Sequence, residues 1–287
     1  MFDQVWSTAS PLLSTRARDF ERLAKWMLEN YPVYATQLRK VWLWDEWPSR
    51  WGQDCGIDLV AETKTGTLWA IQAKAYSPAT AIRKVDIDSF LSESSRDGFS
   101  YRLLIATNDR LGANARRTIL DQTIPVGLVL GSQLRRLELD WPSSIGDLRP
   151  RRPLPKRPLP HSEEAISDIC KGFQSENRGQ LIMACGTGKT LIGLWSAERL
   201  HAQRTLVLTP SLGLLSQTLR EWSLNADSPF EYLAVCSDPS VDSDELIEHT
   251  ADLGIPVTTE VEVILDFMRR DGRIVIFSTY QSSTSAC

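Results

Sequence analysis

Leu181-Ile182-Met183-Ala184-Cys185-Gly186-Thr187-Gly188-Lys189-Thr190 decides how the second half of this chain is read. Its three leading apolar residues predict a strand, and the pattern from Leu191 to Leu200 predicts a helix behind the glycine-spaced loop. In that order the glycines let backbone N–H groups curl round an anion, and the helix N-terminus adds partial positive charge. Lys189 is placed to reach the β- and γ-phosphates, and the Thr190 hydroxyl to ligate Mg2+. Gly186, Thr187, Gly188, Lys189 and Thr190 are therefore the expected nucleotide-binding set. The strict phosphate-loop pattern has glycine where this chain carries Met183. The bland alternative is a glycine-rich strand-to-helix turn that binds nothing.

Upstream, Phe20, Leu23, Ala24 and Met27 share one face of a helix predicted over Ser14 to Asn30, with Glu21 at the border of the stripe. A tryptophan-rich segment follows (Trp42, Trp44, Trp47, Trp51) with no clear element; core packing fits it better than base stacking. Asp54 to Ala61 then reads as a short strand entered through a glycine turn, Thr65-Gly66 as a hairpin, and Thr67 to Lys74 as a second strand. Side chains two apart on a strand share a face, so Gln72 and Lys74 point the same way, and the hairpin brings Asp58 near them. A helix (about Lys84 to Ser94), a strand (Tyr101 to Thr107), a helix (Ala113 to Leu120), a strand (Val126 to Leu130) and a helical stretch (Ser132 to Leu137) complete an α/β block with a central mixed sheet.

A carboxylate, then a strand bearing a polar acceptor, one spacer and a lysine, suits metal-dependent phosphodiester hydrolysis. Asp58 offers a hard oxygen to Mg2+, with Gln72 and the Ala73 carbonyl completing part of the shell. The metal acidifies a bound water, and Lys74 would orient or deprotonate it. Gly56-Ile57-Asp58 and Gln72-Ala73-Lys74 resemble the Mrr-like branch of the PD-(D/E)xK nuclease fold, with Gln72 where most of the wider fold carries Asp or Glu. The resemblance implies a helical acidic residue, matched by Glu21, as a further metal ligand; Ala106-Thr107-Asn108 also resembles the family.

Composition is that of a soluble globular protein, with 42% hydrophobic and 24% charged residues over a length that suits about two domains. No run approaches the ~18 apolar residues of a membrane span. Five scattered cysteines and three histidines give no zinc pattern and suit a reducing, cytoplasmic setting. The net charge of −4 is uneven. Residues 1–148 balance, 149–160 carry only cations, and 161–287 are acidic. Any grip on DNA must come from local patches.

The run from Leu148 to Pro160, rich in proline and basic residues, predicts an extended linker between a domain at 1–147 and another at 161–287. Beyond it, Thr205 to Ser211 predicts a strand ending in Thr209-Pro210-Ser211, with a helix from Leu214 to Glu221. Arg273 to Ser282 predicts a strand ending in Ser278-Thr279-Tyr280-Gln281. With the phosphate loop, these segments resemble the ordered motifs of superfamily 2 helicases. The resemblance implies ATP as nucleotide and makes Thr209, Pro210, Ser211, Ser278, Thr279, Tyr280 and Gln281 the expected DNA contacts. Ser162, in a helix predicted over Glu163 to Phe173 and its approach, stands where that superfamily carries an adenine-reading Gln. The acidic stretch from Asp227 to Asp266 reads as solvated surface.

The fold expected is thus α/β: a PD-(D/E)xK nuclease-like mixed-sheet domain, then an incomplete RecA-like (P-loop) helicase lobe. No Asp-Glu-x-x box follows Gln281, so nucleotide binding without sustained translocation is expected. The domain order resembles the N-terminal part of single-polypeptide Type I restriction-modification enzymes. It implies a fragment acting on double-stranded DNA, its remainder separately encoded, with no membrane partner. Two other readings fit the residues: a nuclease fold that grips DNA without cutting, and a P-loop NTPase that does not act on DNA.

Overall fold

The computed structural model describes residues 1–53, 55–151, 154–237 and 249–282. Asp54 at the start of a predicted strand, residues 152–153 of the linker, residues 238–248 of the acidic stretch and residues 283–287 lie outside the described residues. The chain forms two compact units, Met1–Arg152 with Asp238–Pro256, and Pro153–Ser237 with Val257–Cys287.

In the first unit, helices α1 (Phe2–Trp6), α2 (Leu13–Asn30) and α3 (Pro32–Ala35) precede strands β1 (Leu38–Leu43), β2 (Leu59–Thr63) and β3 (Leu68–Lys74). Then come α4 (Asp88–Glu93), β4 (Phe99–Ala106), α5 (Ala113–Leu120), β5 (Val126–Val129) and α6 (Gly131–Arg136). The sheet runs β1-β2-β3-β4-β5, antiparallel up to β3 and parallel from β3 to β5. One face, with Val60, Ala70, Leu104 and Leu128, packs on Phe90 and Leu91 of α4 and Ala115 and Ile119 of α5. α2 packs against β1 and β3.

Sequence periodicity missed β1. The adjacent cations Arg39 and Lys40 are both exposed at a register shift between Leu38 and Lys40, which breaks the two-residue alternation. Trp44 and Trp47 are buried in the core cluster, and the Trp51 ring stands edge-on to Trp44 at 5.0 Å, so these rings pack rather than wait for bases. The helix expected from Lys84 is split into a 3₁₀ turn, Lys84–Asp86, and α4, because Asp86 Oδ2 turns back to accept from Arg83 N at 2.7 Å.

The second unit holds α7 (Pro160–Gly172), α8 (Lys189–Arg199), β6 (Arg204–Thr209), α9 (Leu212–Asn225), β7 (Glu231–Val235), β8 (Val257–Thr258), α10 (Val261–Met268) and β9 (Ile274–Thr279). Its sheet is parallel in the order β6-β9-β7-β8. The strand expected at Leu181 to Met183 does not form: these residues join no ladder, and Ile182 is 83% exposed. β6 is therefore left as an open edge of this sheet, with Leu206 and Leu208 on it exposed.

The acidic stretch is not all solvated surface. It contains β7, β8 and most of α10, and Asp252 in a 3₁₀ turn at Thr250–Leu253 is buried. That turn lies between β7 and β8 in sequence but packs in the first unit beside β5. Asp252 accepts from Arg116 Nη1 at 3.3 Å, its backbone carbonyl accepts from Gln133 Nε2 at 2.5 Å, and Gly254 O accepts from Tyr34 Oη at 3.1 Å. No described helix is long and apolar enough to cross a membrane.

Candidate functional site

Asp58 sits just before β2 but is already in register, its N–H donating to Ile71 O at 2.9 Å and its carbonyl accepting from Trp44 N at 2.8 Å. Leu59 faces Ile71 across the β2–β3 ladder, so one step back sets Asp58 opposite Gln72. Opposed residues of an antiparallel pair share a face, and Lys74 lies on that face two residues beyond Gln72. Asp58 Oδ2 accepts from Ala73 N at 2.7 Å, which pulls the carboxylate across the end of β3.

Gln72 is 1% exposed, and its Nε2 donates to Gly56 O at 2.8 Å. Because that carbonyl can only accept, the amide orientation is fixed and Oε1 is the atom left over. Oε1 is buried with no hydrogen-bond partner among the described residues. Such an acceptor costs about 1–3 kcal/mol unless something pairs with it. A divalent cation is such a partner: an amide oxygen and a carboxylate are hard ligands that suit Mg2+.

Sequence reasoning read Gly56 as the turn into the strand but gave it no contact with the site. Its φ is +77°, and an added Cβ would meet Ser89 Oγ at 2.5 Å, so only glycine lets this turn close on α4 while presenting its carbonyl to Gln72. The glycine two places before Asp58 was the available signal. Asp86 was also missed. Its carboxyl is held below the usual range by the hydrogen bond from Arg83, and the nearby Lys74 ammonium adds to the effect. Burial raises the Tyr76 phenol, with Asp86 as its charged neighbour and hydrogen-bond partner.

Glu21 lies on α2, where its Oε2 pairs with Arg18 Nη1 at 2.9 Å; the same guanidinium reaches Asp45 at 2.6 Å. Its place in a metal shell rests on the family likeness alone. Among the described residues no group of three or more His, Cys, Asp or Glu is arranged to hold a metal ion. Any ion at Asp58 must therefore take Gln72, backbone or water oxygens as well.

In the second unit, Gly186 and Gly188 take φ of +79° and +80°, and Gly188 caps α8. Thr187 Oγ1 donates to Ala184 O at 2.8 Å, and Lys189 Nζ to Ala184 O at 2.8 Å and Met183 O at 3.1 Å. The ammonium thus folds back over the loop at the exposed start of α8, where an anion would replace its carbonyl partners. Thr190 is the second residue of α8, its carbonyl held by Trp222 Nε1 at 2.9 Å. Ser162 is buried in the first turn of α7.

Thr209 and Thr279 are register partners at the same end of β6 and β9. Thr209, Ser278 and Thr279 are buried, whereas Pro210, Tyr280 and Gln281 are exposed. Ser211 Oγ accepts from Leu214 N and caps α9.

A family model described as restriction endonuclease matches residues 29–148, and one described as Type III restriction enzyme, res subunit, matches residues 156–287. The chain joins an Mrr-type restriction endonuclease domain to a res-subunit helicase domain. The nuclease match contains Asp58, Gln72 and Lys74 but begins after Glu21. The two-domain chain is similar to the ATP-dependent Type ISP restriction-modification enzyme LlaBIII bound to DNA, at 32% identity and a TM-score of 0.80, covering 92% of this chain and 18% of that one. It also matches a nuclease-deletion mutant of the Type ISP enzyme LlaGI with a DNA substrate mimic, at 33% identity and a TM-score of 0.38, covering 45% and 13%. A comparison with curated proteins gave no match. The nuclease–helicase chain spans about a fifth of the length of the LlaBIII chain.

Proposed function

We propose that the nuclease domain is a Mg2+-dependent DNA endonuclease of the restriction type, acting on double-stranded DNA in the cytoplasm, and that the helicase domain binds ATP with Mg2+. The observation that carries the reading is the buried Oε1 of Gln72, without a partner among the described residues, beside Asp58 and two residues from Lys74. Asp58 and Gln72 hold the ion, with Glu21 as a further ligand. A divalent ion bound there would supply an acidified water and neutralise charge on the phosphate. Lys74 would orient that water or, as the free amine, accept its proton. The Type ISP relative, solved bound to DNA, supports DNA as substrate.

In the helicase domain, Gly186 to Gly188 and the first N–H groups of α8 receive phosphate, Lys189 swings from Met183 O and Ala184 O onto it, and Thr190 ligates the Mg2+. Exposed Pro210, Tyr280 and Gln281 touch DNA directly; buried Thr209, Ser278 and Thr279, with Ser211, shape the strand ends that present them. Plasmid nicking with Mg2+ against chelator tests the nuclease. Asp58→Ala and Lys74→Ala should each lose about 10²–10⁴-fold in rate. Equal nicking by wild type and both variants would remove the catalytic assignment. Loss of ATP binding in Lys189→Ala tests the second domain.

A further inference from the structure

We infer that Thr107 and Asn108 are positioning residues for the nuclease site, fixing the exit of β3 and with it the lysine at its end; this rests on the nuclease reading above. The β3–β4 ladder ends at Lys74 opposite Ala106. Past Lys74 the chain enters a loop whose residues 77–81 are exposed. An unpaired exit of this kind frays, and Lys74 is its last ladder residue.

Thr107 and Asn108 prevent that. Thr107 N donates to Lys74 O at 3.1 Å, and Thr107 Oγ1 to Tyr76 O at 2.6 Å. Asn108 Nδ2 donates to Ser77 O at 2.7 Å and Thr80 O at 3.0 Å. Asn108 Oδ1 accepts from Arg110 N at 2.9 Å, so the amide is held with both hydrogens toward the loop. Both residues are about 5% exposed or less, where water cannot stand in for these bonds.

The far end of the loop closes on the same stretch, with Ile82 N donating to Arg110 O at 2.7 Å and Gly112 N to Ile82 O at 2.9 Å. Two side-chain donors and the Thr107 N–H at the exit, with two backbone bonds at the return, make residues 75–82 a rigid lip. The lip carries Tyr76 toward Asp86, the carboxylate that Lys74 influences. Misplacing a reacting group by about 1 Å costs about 10²-fold in rate, so a frayed exit should be read in turnover.

Isosteric variants separate this role from packing. Thr107→Val keeps the volume and loses the donor; Thr107→Ser keeps the donor and loses a methyl. Asn108→Asp keeps the shape and loses both amide hydrogens. The measurements are kcat and KM for Mg2+-dependent plasmid nicking, with amide hydrogen exchange across 75–82. Thr107→Val and Asn108→Asp should lower kcat about 10- to 100-fold, leave KM within about threefold, and speed exchange in the loop. Thr107→Ser should stay near wild type in all three. Thr107→Val as active as wild type, Thr107→Ser as impaired as Thr107→Val, or a rise in KM at unchanged kcat would overturn the role. A wild-type protein that never nicks sinks the nuclease reading itself. The exchange measurement needs no activity, and unchanged exchange in the variants refutes the anchoring separately.

Discussion

Gln72 holds a buried acceptor that no described residue pairs with, and this sets stability against activity at one side chain. Replacing it by leucine removes the orphaned oxygen but also the donor to Gly56 O. The two effects oppose, so Gln72→Leu should keep its folding free energy within about 1 kcal/mol of wild type while nicking falls at least ~10²-fold. Chemical denaturation alongside the nicking assay checks both halves. Asp86 offers a pH test. Its folded-state pKa lies below the unfolded value, chiefly through the Arg83 hydrogen bond. The stability it contributes is therefore present above the unfolded pKa of about 4 and is lost as pH falls through the folded value. Asp86→Asn should melt lower than wild type at pH 7, and the gap should close in thermal scans taken toward pH 3. The residues of the candidate site were legible because strand periodicity predicts the shared face of Gln72 and Lys74. The Ala73 N–H on Asp58 and the Gly56 carbonyl on Gln72 were not, because backbone partners have no letter in a sequence.

At the scale of elements, β6 is an open edge. Leu206 and Leu208 are about 40% exposed there, and the apolar segment at 181–183 is unpaired beside the phosphate loop. Unpaired, apolar edges template association between chains. Leu206→Lys should reduce concentration-dependent self-association, read by sedimentation, while shifting the unfolding free energy by no more than about 0.5 kcal/mol. Unchanged association would show that the edge is protected by other means. Strongly periodic elements such as α2 and α5 could be read within a residue or two of their bounds. β1 was hidden by its register shift. β7, β8 and α10 were hidden by the charge around them, since composition averages over a window and burial does not.

The whole molecule breaks the rule that a domain is one stretch of chain. Residues around 249–256 belong by contact to the nuclease unit, though the res-subunit family match spans them. Gly254 sits at φ +66°, with an added Cβ 3.0 Å from both Tyr34 Oη and Val129 Cγ2, so the turn fits only without a side chain. Asp252→Ala removes the acceptor for Arg116 and for His249 N, and should destabilise the nuclease unit by about 2 kcal/mol. Thermal unfolding followed by tryptophan fluorescence, which is concentrated in that unit, would report it. An unchanged transition would mean that the turn adds nothing to stability there.

The sequence by itself determined the two fold classes, their order, the glycine loop that opens α8 and the shared strand face of Gln72 and Lys74. Each depends on local periodicity or on residue types at fixed spacing. Only the tertiary structure decided that Leu181 to Met183 is not a strand, that Asp252 is buried in the nuclease unit, and that Thr107 and Asn108 grip the exit of β3. Those outcomes depend on which backbone groups find partners far away in the chain, and pairing across such distances leaves no period in the sequence to read.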